Sequence, residues 1–552
     1  MEPGNPSSQC RSEVPTDQTL ARFTGYPPPL VYVGGKAIDV GQVQSAIIHH
    51  EAAVLEINQE IEQLLAVARR LEYQKSRHME EMRRCKGLIT LARRIPPEIL
   101  VYIFELCVDW GFPRTPISVS QVCSEWRAAA VCAATLWSHV LVSANNRNPY
   151  CRALLWLNRA QSAPLHVTVQ LNGDTSHVSG ALGVLLERRG QWRTLTIQSY
   201  GLAEVDGVLT VCKGAFPDLR SITVQVEQDS HSGRFFSDVN NDEDGVFLMG
   251  LRDSFSPAPL CETMAFKAVI FPPLQSLPLN LVNLSISLLP SSVNLRRLHI
   301  ASLVGLVDQL RSLQSLAIIL PFGENYEIIV PPQPITRATA PVLLRLNLTG
   351  PLHLFTLLHH LETPALMRLQ LRSSLEPEIS PHEPTSASLR ECIGRSTPPL
   401  ELLELHDVDL TEECFVFCFD SLPTLQEVRL HESDISDQVV QRLGTGACPR
   451  LRRLDLRWCG RVRGDALVSM VQHRSQSGDL QSLELITVIN CTFIKDENVL
   501  DLARFTRCSL MIRQDDDYCQ SWECCSNERY RRRLQLRKLH DLEMDHRHNI
   551  IF

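Results

Sequence analysis

Three clusters in the chain have residue types that could hold a metal ion or a phosphate group, and the spacing of each decides what it can do. Cys519, Cys524 and Cys525 precede His540, His546 and His548. Tetrahedral zinc needs paired ligands at short intervals on both sides, and the adjacent Cys524-Cys525 pair breaks that pattern. Asp238, Asp242, Glu243 and Asp244 suggest a calcium loop. A frame opening at Asp238 has Glu243 where glycine must turn the chain, and one opening at Asn240 has Leu251 where a carboxylate must close the site. Gly34-Gly35-Lys36 lacks both the earlier glycine of a phosphate loop, since Leu30 stands there, and the hydroxyl that holds magnesium, since Ala37 follows the lysine. No G-x-S-x-G or H-E-x-x-H run occurs, and a nucleophile among the cysteines would need a perturbed thiol. The expectation is a protein that is not an enzyme, takes no cofactor and no metal, and acts by binding.

Composition narrows the partners. The chain of 552 residues is 44% hydrophobic, ample for several domains or a long repeat array. Its 54 basic and 62 acidic residues leave a net charge of −8, which gives no general attraction to phosphate backbones, so nucleic acid is not expected as a partner. No apolar run reaches the ~18 residues of a spanning helix, so no membrane is expected either. The eighteen cysteines are scattered among apolar positions, and no secretory leader opens the chain. They read as reduced core thiols of a cytoplasmic or nuclear protein.

The elements that could present a binding surface follow from hydrophobic period. In the stretch from Ile95 to Val142, Pro96 and Pro97 suit a first helical turn, and Glu98 is favoured by the helix dipole. Ile99, Leu100, Ile103, Phe104 and Cys107 then recur at helical spacing, with Val101, Leu106 and Val108 carrying the apolar surface nearly all round. This helix is expected to be buried on two sides. After Gly111 and Pro113, Val119, Val122, Cys123, Trp126 and Ala130 mark one face of a second helix, and Leu136-Trp137 open a third cluster. Three short helices make a marginal core that a partner or the rest of the chain must complete.

In order and spacing, Ile95-Pro96-Pro97-Glu98-Ile99-Leu100, Ile103-Phe104, Val119, Val122-Cys123, Trp126-Arg127 and Leu136-Trp137 resemble an F-box or F-box-like motif. The resemblance implies docking to a SKP-family adaptor and, through it, to a cullin–RING ubiquitin ligase. By that likeness Ile95, Pro96, Ile99, Leu100, Ile103, Phe104, Val122 and Trp126 supply adaptor contacts or the helical core behind them. The segment departs from the family at Ile95, where leucine is usual, and at Trp110-Gly111-Phe112-Pro113, which lengthens the first connection between helices.

Before this motif, Ile47, Val54, Ile57, Ile61, Leu64, Ala68 and Leu71 alternate steps of three and four, the heptad signature of a long helix. His50, Lys75 and His78 interrupt the continuation of the seam. Self-association through residues 47–71 and folding back on the body of the protein both satisfy the pattern.

After the motif, a phrase L-x-x-L-x-L recurs at Leu295, Leu313, Leu366, Leu425, Leu451 and Leu480, with related versions at Trp192 and Leu219. This is the strand phrase of a leucine-rich repeat, its leucines pointing into a solenoid core. Val428 to Leu454 is 26 positions, Leu454 to Leu483 is 29 and Leu369 to Leu403 is 34, the last demanding an insertion. Between Leu260 and Ile300 the phrases Leu274-Leu277-Leu279 and Leu281-Leu284-Ile286 compete for the register. Residues alternating with the leucines face outward. Towards the C-terminus they are Arg368, Gln370 and Arg372; Glu404 and His406; Glu427, Arg429 and His431; Arg453, Asp455 and Arg457; and Glu484. Most are solvated strand residues, and a few would carry the binding energy for a client protein.

The fold expected is α/β, a leucine-rich-repeat solenoid preceded by a small all-α F-box and an N-terminal heptad-patterned helix. The divisions are a disordered arm at 1–38, a coiled-coil-like helix at 39–88, the F-box at 91–145, the solenoid at 150–512 with an acidic loop at 226–259, and a capping or flexible tail at 513–552. As a whole the chain resembles F-box/leucine-rich-repeat proteins, in particular the large fungal sets with a helix before the box. That likeness implies a substrate-recognition subunit of a SKP–cullin–F-box ubiquitin ligase, its client held by the repeats. The rival from another class is an interaction scaffold that uses coil and repeats outside any ligase.

Overall fold

The computed structural model describes residues 40–511 except 89–94, 113, 147, 173–176, 227–254, 256–257, 269–276, 290–295, 321–325, 330–336, 374–382, 434, 460, 490, 492 and 495. The arm at 1–38, most of the acidic loop at 226–259 and the tail at 513–552, with their candidate metal clusters, lie outside the described residues. So does Leu274 of the competing phrases. The chain divides into two compact units at Ile95–Pro96.

The first unit contains helix α1, Val40–Leu88. No proline falls within its 49 residues, and Ala, Glu, Leu, Gln and Arg dominate, all strong helix formers. Its heptad stripe is exposed: Ile47 is 51% accessible, Val54 56%, Leu64 63% and Leu71 54%. The ion pairs Arg83–Glu80 and Arg84–Glu81 are solvated, contributing tenths of a kcal/mol at most.

The second unit opens with α2, Pro97–Asp109, then α3, Thr115–Ser120, α4, Ser124–Cys132, and a 3-10 turn at Ala134–Trp137. The single second helix expected across Val119–Ala130 is instead two. Cys123 is extended at φ −158°, and its sulfur accepts the Trp126 amide at 3.5 Å, so the chain stops and restarts there. Local capping outweighs the continuous apolar period. Nor is α2 buried on two sides: Leu100, Phe104 and Val108 are buried, whereas Ile99 and Ile103 are exposed.

Strands and helices then alternate. They are β1 His139–Ser143, α5 Pro149–Ala160, β2 Leu165–Gln170, α6 Val178–Leu186, β3 Trp192–Ser199, α7 Leu202–Val211, β4 Ser221–Val226, β5 Thr263–Ala268, β6 Asn283–Leu288, β7 Arg296–His299, α8 Ile300–Gln309, β8 Ser315–Ile319 and β9 Tyr326–Ile329. There follow β10 Ala338–Thr339, β11 Arg345–Gly350, a 3-10 segment at Leu352–His360, β12 Leu361–Glu362, β13 Arg368–Ser373, α9 Glu383–Ser396, β14 Leu402–His406, α10 Glu412–Ser421 and β15 Glu427–His431. The series ends with α11 Asp437–Gly444, β16 Arg453–Arg457, α12 Gly464–Gln476, β17 Leu485–Ile489, α13 Asp496–Ala503 and β18 Arg507–Met511. Fourteen strands form one sheet in the order β1-β2-β3-β4-β5-β6-β8-β11-β13-β14-β15-β16-β17-β18, and each neighbouring pair is parallel. Parallel neighbours in chain order need a return segment after each strand, which the helices and irregular stretches provide.

The inward residues stack in register. Leu195, Ile222, Met264, Leu284, Leu316 and Leu346 form one row, and Leu369, Leu403, Val428, Leu454 and Ile486 continue it, none more than 2% exposed. Burying each such side chain contributes about 1.5–3 kcal/mol. Within 260–300, β6 takes the Leu281-Leu284-Ile286 phrase, and its neighbour on one side in the sheet is β5, through Met264 and Phe266.

Two phrases fall elsewhere. Leu298 lies in β7, which pairs with β9 in a two-stranded sheet apart from the main one, and Ile300 begins α8. Buried Ile300, Leu303, Val304 and Val307 give that stretch a helical period, which outweighs the two-residue alternation. At the C-terminal end, Leu454 pairs with Ile486 rather than Leu483. The operative phrase is Leu483-Glu-Leu-Ile486-Thr-Val488, three residues later than Leu480, because β-branched Ile486, Val488 and Ile489 fit a strand better.

Candidate functional site

Two surfaces of the second unit carry the residues singled out above. The first is built on α2. Buried Leu100, Phe104 and Val108 are one turn apart, and the Phe104 ring packs on Trp126 with centroids 5.0 Å apart. Holding that face down turns the other face outward: Ile99 is 50% exposed, Tyr102 59% and Ile103 39%, and Val122, at the break between α3 and α4, is 61% exposed. Pro96 is exposed and Ile95 partly so. Of the residues assigned to adaptor contacts or the core behind them, Leu100 and Phe104 are core, Trp126 is half-buried against Phe104, and Ile99, Ile103 and Val122 are surface. Tyr102, Trp110 and Phe112 are exposed as well. Their signal was available as large apolar residues with no place on the buried i, i+4 stripe.

This helical group is locked to the sheet. The Trp137 indole donates to the Ala130 carbonyl at 2.7 Å and packs edge-on against Trp156 of α5 at 4.9 Å, and the Arg159 guanidinium lies 4.2 Å over its ring. Thr135 donates to Glu105. Beside this joint, His139 of β1 and His166 of β2 stack at 4.5 Å in a cavity of about 330 Å³ that Asp109 and Arg193 also line. Burial lowers the His139 pKa against the opposing pull of Asp109. His166 falls to about 4, by burial first and then by repulsion from His139 and Arg193. Both rings are therefore neutral at pH 7, which lets them stack in a partly dry site.

The second surface is the outward face of the main sheet. The register of β13 to β16 sets the candidate client residues in three rows: Arg368, Leu402, Glu427, Arg453; then Gln370, Glu404, Arg429, Asp455; then Arg372, His406, His431, Arg457. Glu404 accepts from Gln370 at 3.1 Å and from Arg429 at 3.2 Å, and Arg429 also donates to Glu427 at 2.7 Å. Arg457 grips Asp455 with two bonds of 2.9 and 2.8 Å, His431 lies 3.8 Å from the same carboxylate, and the His431 and His406 rings meet edge-on at 5.4 Å. Burial would raise the Asp455 pKa, but His431 and Arg457 outweigh it and hold the group at about 2. Glu484 is not in these rows. It precedes β17 and faces Arg452 at 3.6 Å, while Thr487 occupies the position beside Asp455. Arg345 of β11 does join them, opposite Arg368. Its own phrase, Leu343-Leu-Arg-Leu346-Asn-Leu348, carries the signal.

Towards β1 the face changes character. Gln170, Gln198 and Gln225 form an amide ladder at 2.9 and 3.0 Å, flanked by threonines and serines. Behind the sheet, Cys459 and Cys491 donate their thiols to the Leu430 and Leu456 carbonyls of the preceding strand. Burial pushes the Cys212 and Cys448 thiols up to about 12 and Cys261 to about 11, so all three stay protonated. Among the described residues no group of three or more His, Cys, Asp or Glu is placed to hold a metal ion, and no helix is long and apolar enough to cross a membrane.

The F-box-like family matches residues 92–143. The chain carries an F-box-like domain. No curated protein matches the chain. F-box domains generally bind SKP-type adaptors, and the F-box-like domain here comprises α2 to α4, the 3-10 turn and β1. Its last strand is thus also the first strand of the fourteen-stranded sheet, paired with β2 from His139↔His166 to Ser143↔Gln170.

Proposed function

We propose that this protein is the substrate-recognition subunit of a SKP–cullin–F-box ubiquitin ligase. The F-box-like domain docks the adaptor, and the sheet, as a leucine-rich-repeat solenoid, holds the client. The observation that carries the reading is the coincidence of the F-box-like match with a helical group whose Leu100 and Phe104 are spent on its own core while Ile99, Ile103 and Val122 stay exposed. Such a rimmed apolar patch suits a protein partner. The protein does no chemistry in this scheme. It raises the effective concentration of a client lysine near a ubiquitin-charged enzyme recruited through the cullin. In this scheme it works in the cytoplasm or nucleus, where its scattered cysteines stay reduced. Affinity capture of the full chain with adaptor and cullin present tests this: both should be recovered in one complex.

The second reading, an interaction scaffold outside any ligase, draws on α1. Its exposed seam sets β-branched Ile47, Val54 and Ile61 at one heptad position and Ile57, Leu64 and Leu71 at the other, a pattern that favours a two-stranded parallel coil of two copies. Recovery of adaptor without cullin would decide for the scaffold.

A further inference from the structure

We infer that the charged end of the sheet face, from β11 to β16, takes an acidic segment of the client protein, with Arg345 and Arg368 as its primary contacts. This rests on the client-binding reading above and names the chemistry of the client.

The charge count on that face is the starting point. Six arginines point outward from these five strands: Arg345, Arg368, Arg372, Arg429, Arg453 and Arg457. Only three carboxylates accompany them, Glu404, Glu427 and Asp455, in a chain whose net charge is −8. Basic charge is thus concentrated where the whole molecule would place acid. The outward rows paired from β3 to β8 do not share it: they consist of Ser, Thr, Asn, Gln, Ala and Ile with one lysine, Lys267.

The carboxylates are already engaged within the face. Glu404 is held by Arg429, Glu427 by Arg429 and more loosely by Arg453 at 3.9 Å, and Asp455 by Arg457. They consume the charge of the β15–β16 end and leave that of Arg345 and Arg368. Arg345 and Arg368 are both exposed, and among the described residues neither has a carboxylate within ion-pair distance. They are also paired directly across the ladder, where strands are about 4.8 Å apart and like charges disfavour one another. An anionic ligand seated over the pair relieves that repulsion and gains two forked donors, each able to bind a carboxylate or phosphoryl group bidentately.

A protein segment fits better than nucleic acid. The interleaved Glu404, Glu427 and Asp455 would repel a continuous phosphate backbone, whereas a peptide can place acidic groups over the arginine pair and neutral or basic ones over the carboxylates. The rows also offer no Phe, Tyr or Trp on which bases could stack.

The test is fluorescence anisotropy with the full chain and labelled peptides of one length, bearing glutamates, phosphoserines, lysines or only Gly and Ser, beside a single-stranded oligonucleotide. The glutamate or phosphoserine peptide should bind in a salt-sensitive way, and whichever binds tighter gives the source of the anion. Arg345→Glu with Arg368→Glu should weaken it by roughly tenfold or more, Arg345→Gln with Arg368→Gln by less, and Arg311→Glu, at an exposed helix end, not at all. The inference falls if neither acidic peptide binds, if the neutral or lysine peptide or the oligonucleotide binds as well, or if the double reversal keeps wild-type affinity in a protein with unchanged circular dichroism. Adaptor capture by the same preparations keeps the two ideas apart. Arginine-dependent binding without adaptor capture leaves this inference standing and removes the ligase reading.

Discussion

The Arg474 guanidinium, 1% exposed, donates to the Leu443 carbonyl oxygen at 2.6 Å. It reaches from α12 into the turn that leads from α11 to β16, where the Ala447, Cys448 and Leu451 carbonyls also accept from it, and its Nε donates forward to Gln481. One cation therefore satisfies the carbonyls of a whole return segment and ties two successive units together. Arg474→Met strips the Leu443, Ala447 and Leu451 oxygens of this buried donor, while Cys448 keeps the Leu451 amide, and the expected loss is about 3 kcal/mol or more in urea unfolding. Arg474→Lys should recover less than half of it, because an ammonium lacks the planar fork. A wild-type midpoint for Arg474→Met contradicts this account.

Core and contact roles on α2 separate by exposure. Phe104→Ala removes a ring packed on Trp126 and should cost about 3–5 kcal/mol. Ile103→Asp alters a surface position and should change stability by only about 0.5 kcal/mol while abolishing adaptor capture. Thermal melts and pull-downs on both variants decide it. Undiminished capture by Ile103→Asp, on its own and with Ile99→Asp, would remove the assigned docking face.

Asp455 gives the sheet a pH dependence whose sign is set by its lowered pKa. The folded state holds the carboxyl at about 2, below its ordinary value of 3.8, so the stabilisation is complete above pH 4 and is lost as pH falls from 4 through 2. Over that window its size is of order 2 kcal/mol. Denaturant unfolding at pH 5 and pH 3 should therefore show a smaller drop for Asp455→Asn than for the wild type. Equal drops would mean that Arg457 and His431 do not hold the charged form.

For α1, the expectation is a dimer mass for the full chain in light scattering, reduced to the monomer by Ile57→Asp with Leu64→Asp. Both side chains lie on the exposed seam of α1. A monomer mass for the wild type at micromolar concentration excludes self-association through residues 47–71.

Much of the sheet is written in local periodicity. Leu425-Gln-Glu-Val428-Arg-Leu430 and Leu451-Arg-Arg-Leu454-Asp-Leu456 name their strands and their inward residues, because a period of two admits one orientation once the leucines must be buried. Leu480 to Leu485 misleads by three residues because leucines before a strand look the same as leucines within it, and only the partner strand selects Ile486. The phrase at Leu295 is ambiguous for a different reason: an apolar run satisfies strand and helix periods at once, and α8 takes it. On α2 the apolar residues are legible, but which face they cover is not. That depends on Trp126 and Leu136 arriving from later in the chain to cover Phe104 and its neighbours. The arginine pair is legible only in part, since Arg345 and Arg368 are 23 positions apart and meet through the ladder alone.

The strand shared by the F-box-like domain and the sheet makes the protein a ruler. A connection free to bend would let the two ends search for one another. Here β1 is hydrogen-bonded to β2, and every further unit adds one strand interval of about 4.8 Å along the ladder. From β1 to β13 that path is eight intervals, roughly 38 Å. Under the function proposed above, the number of strand intervals between the F-box-like domain and the arginine pair sets how far along a client would lie, and deleting one interval should move it by a single fixed step.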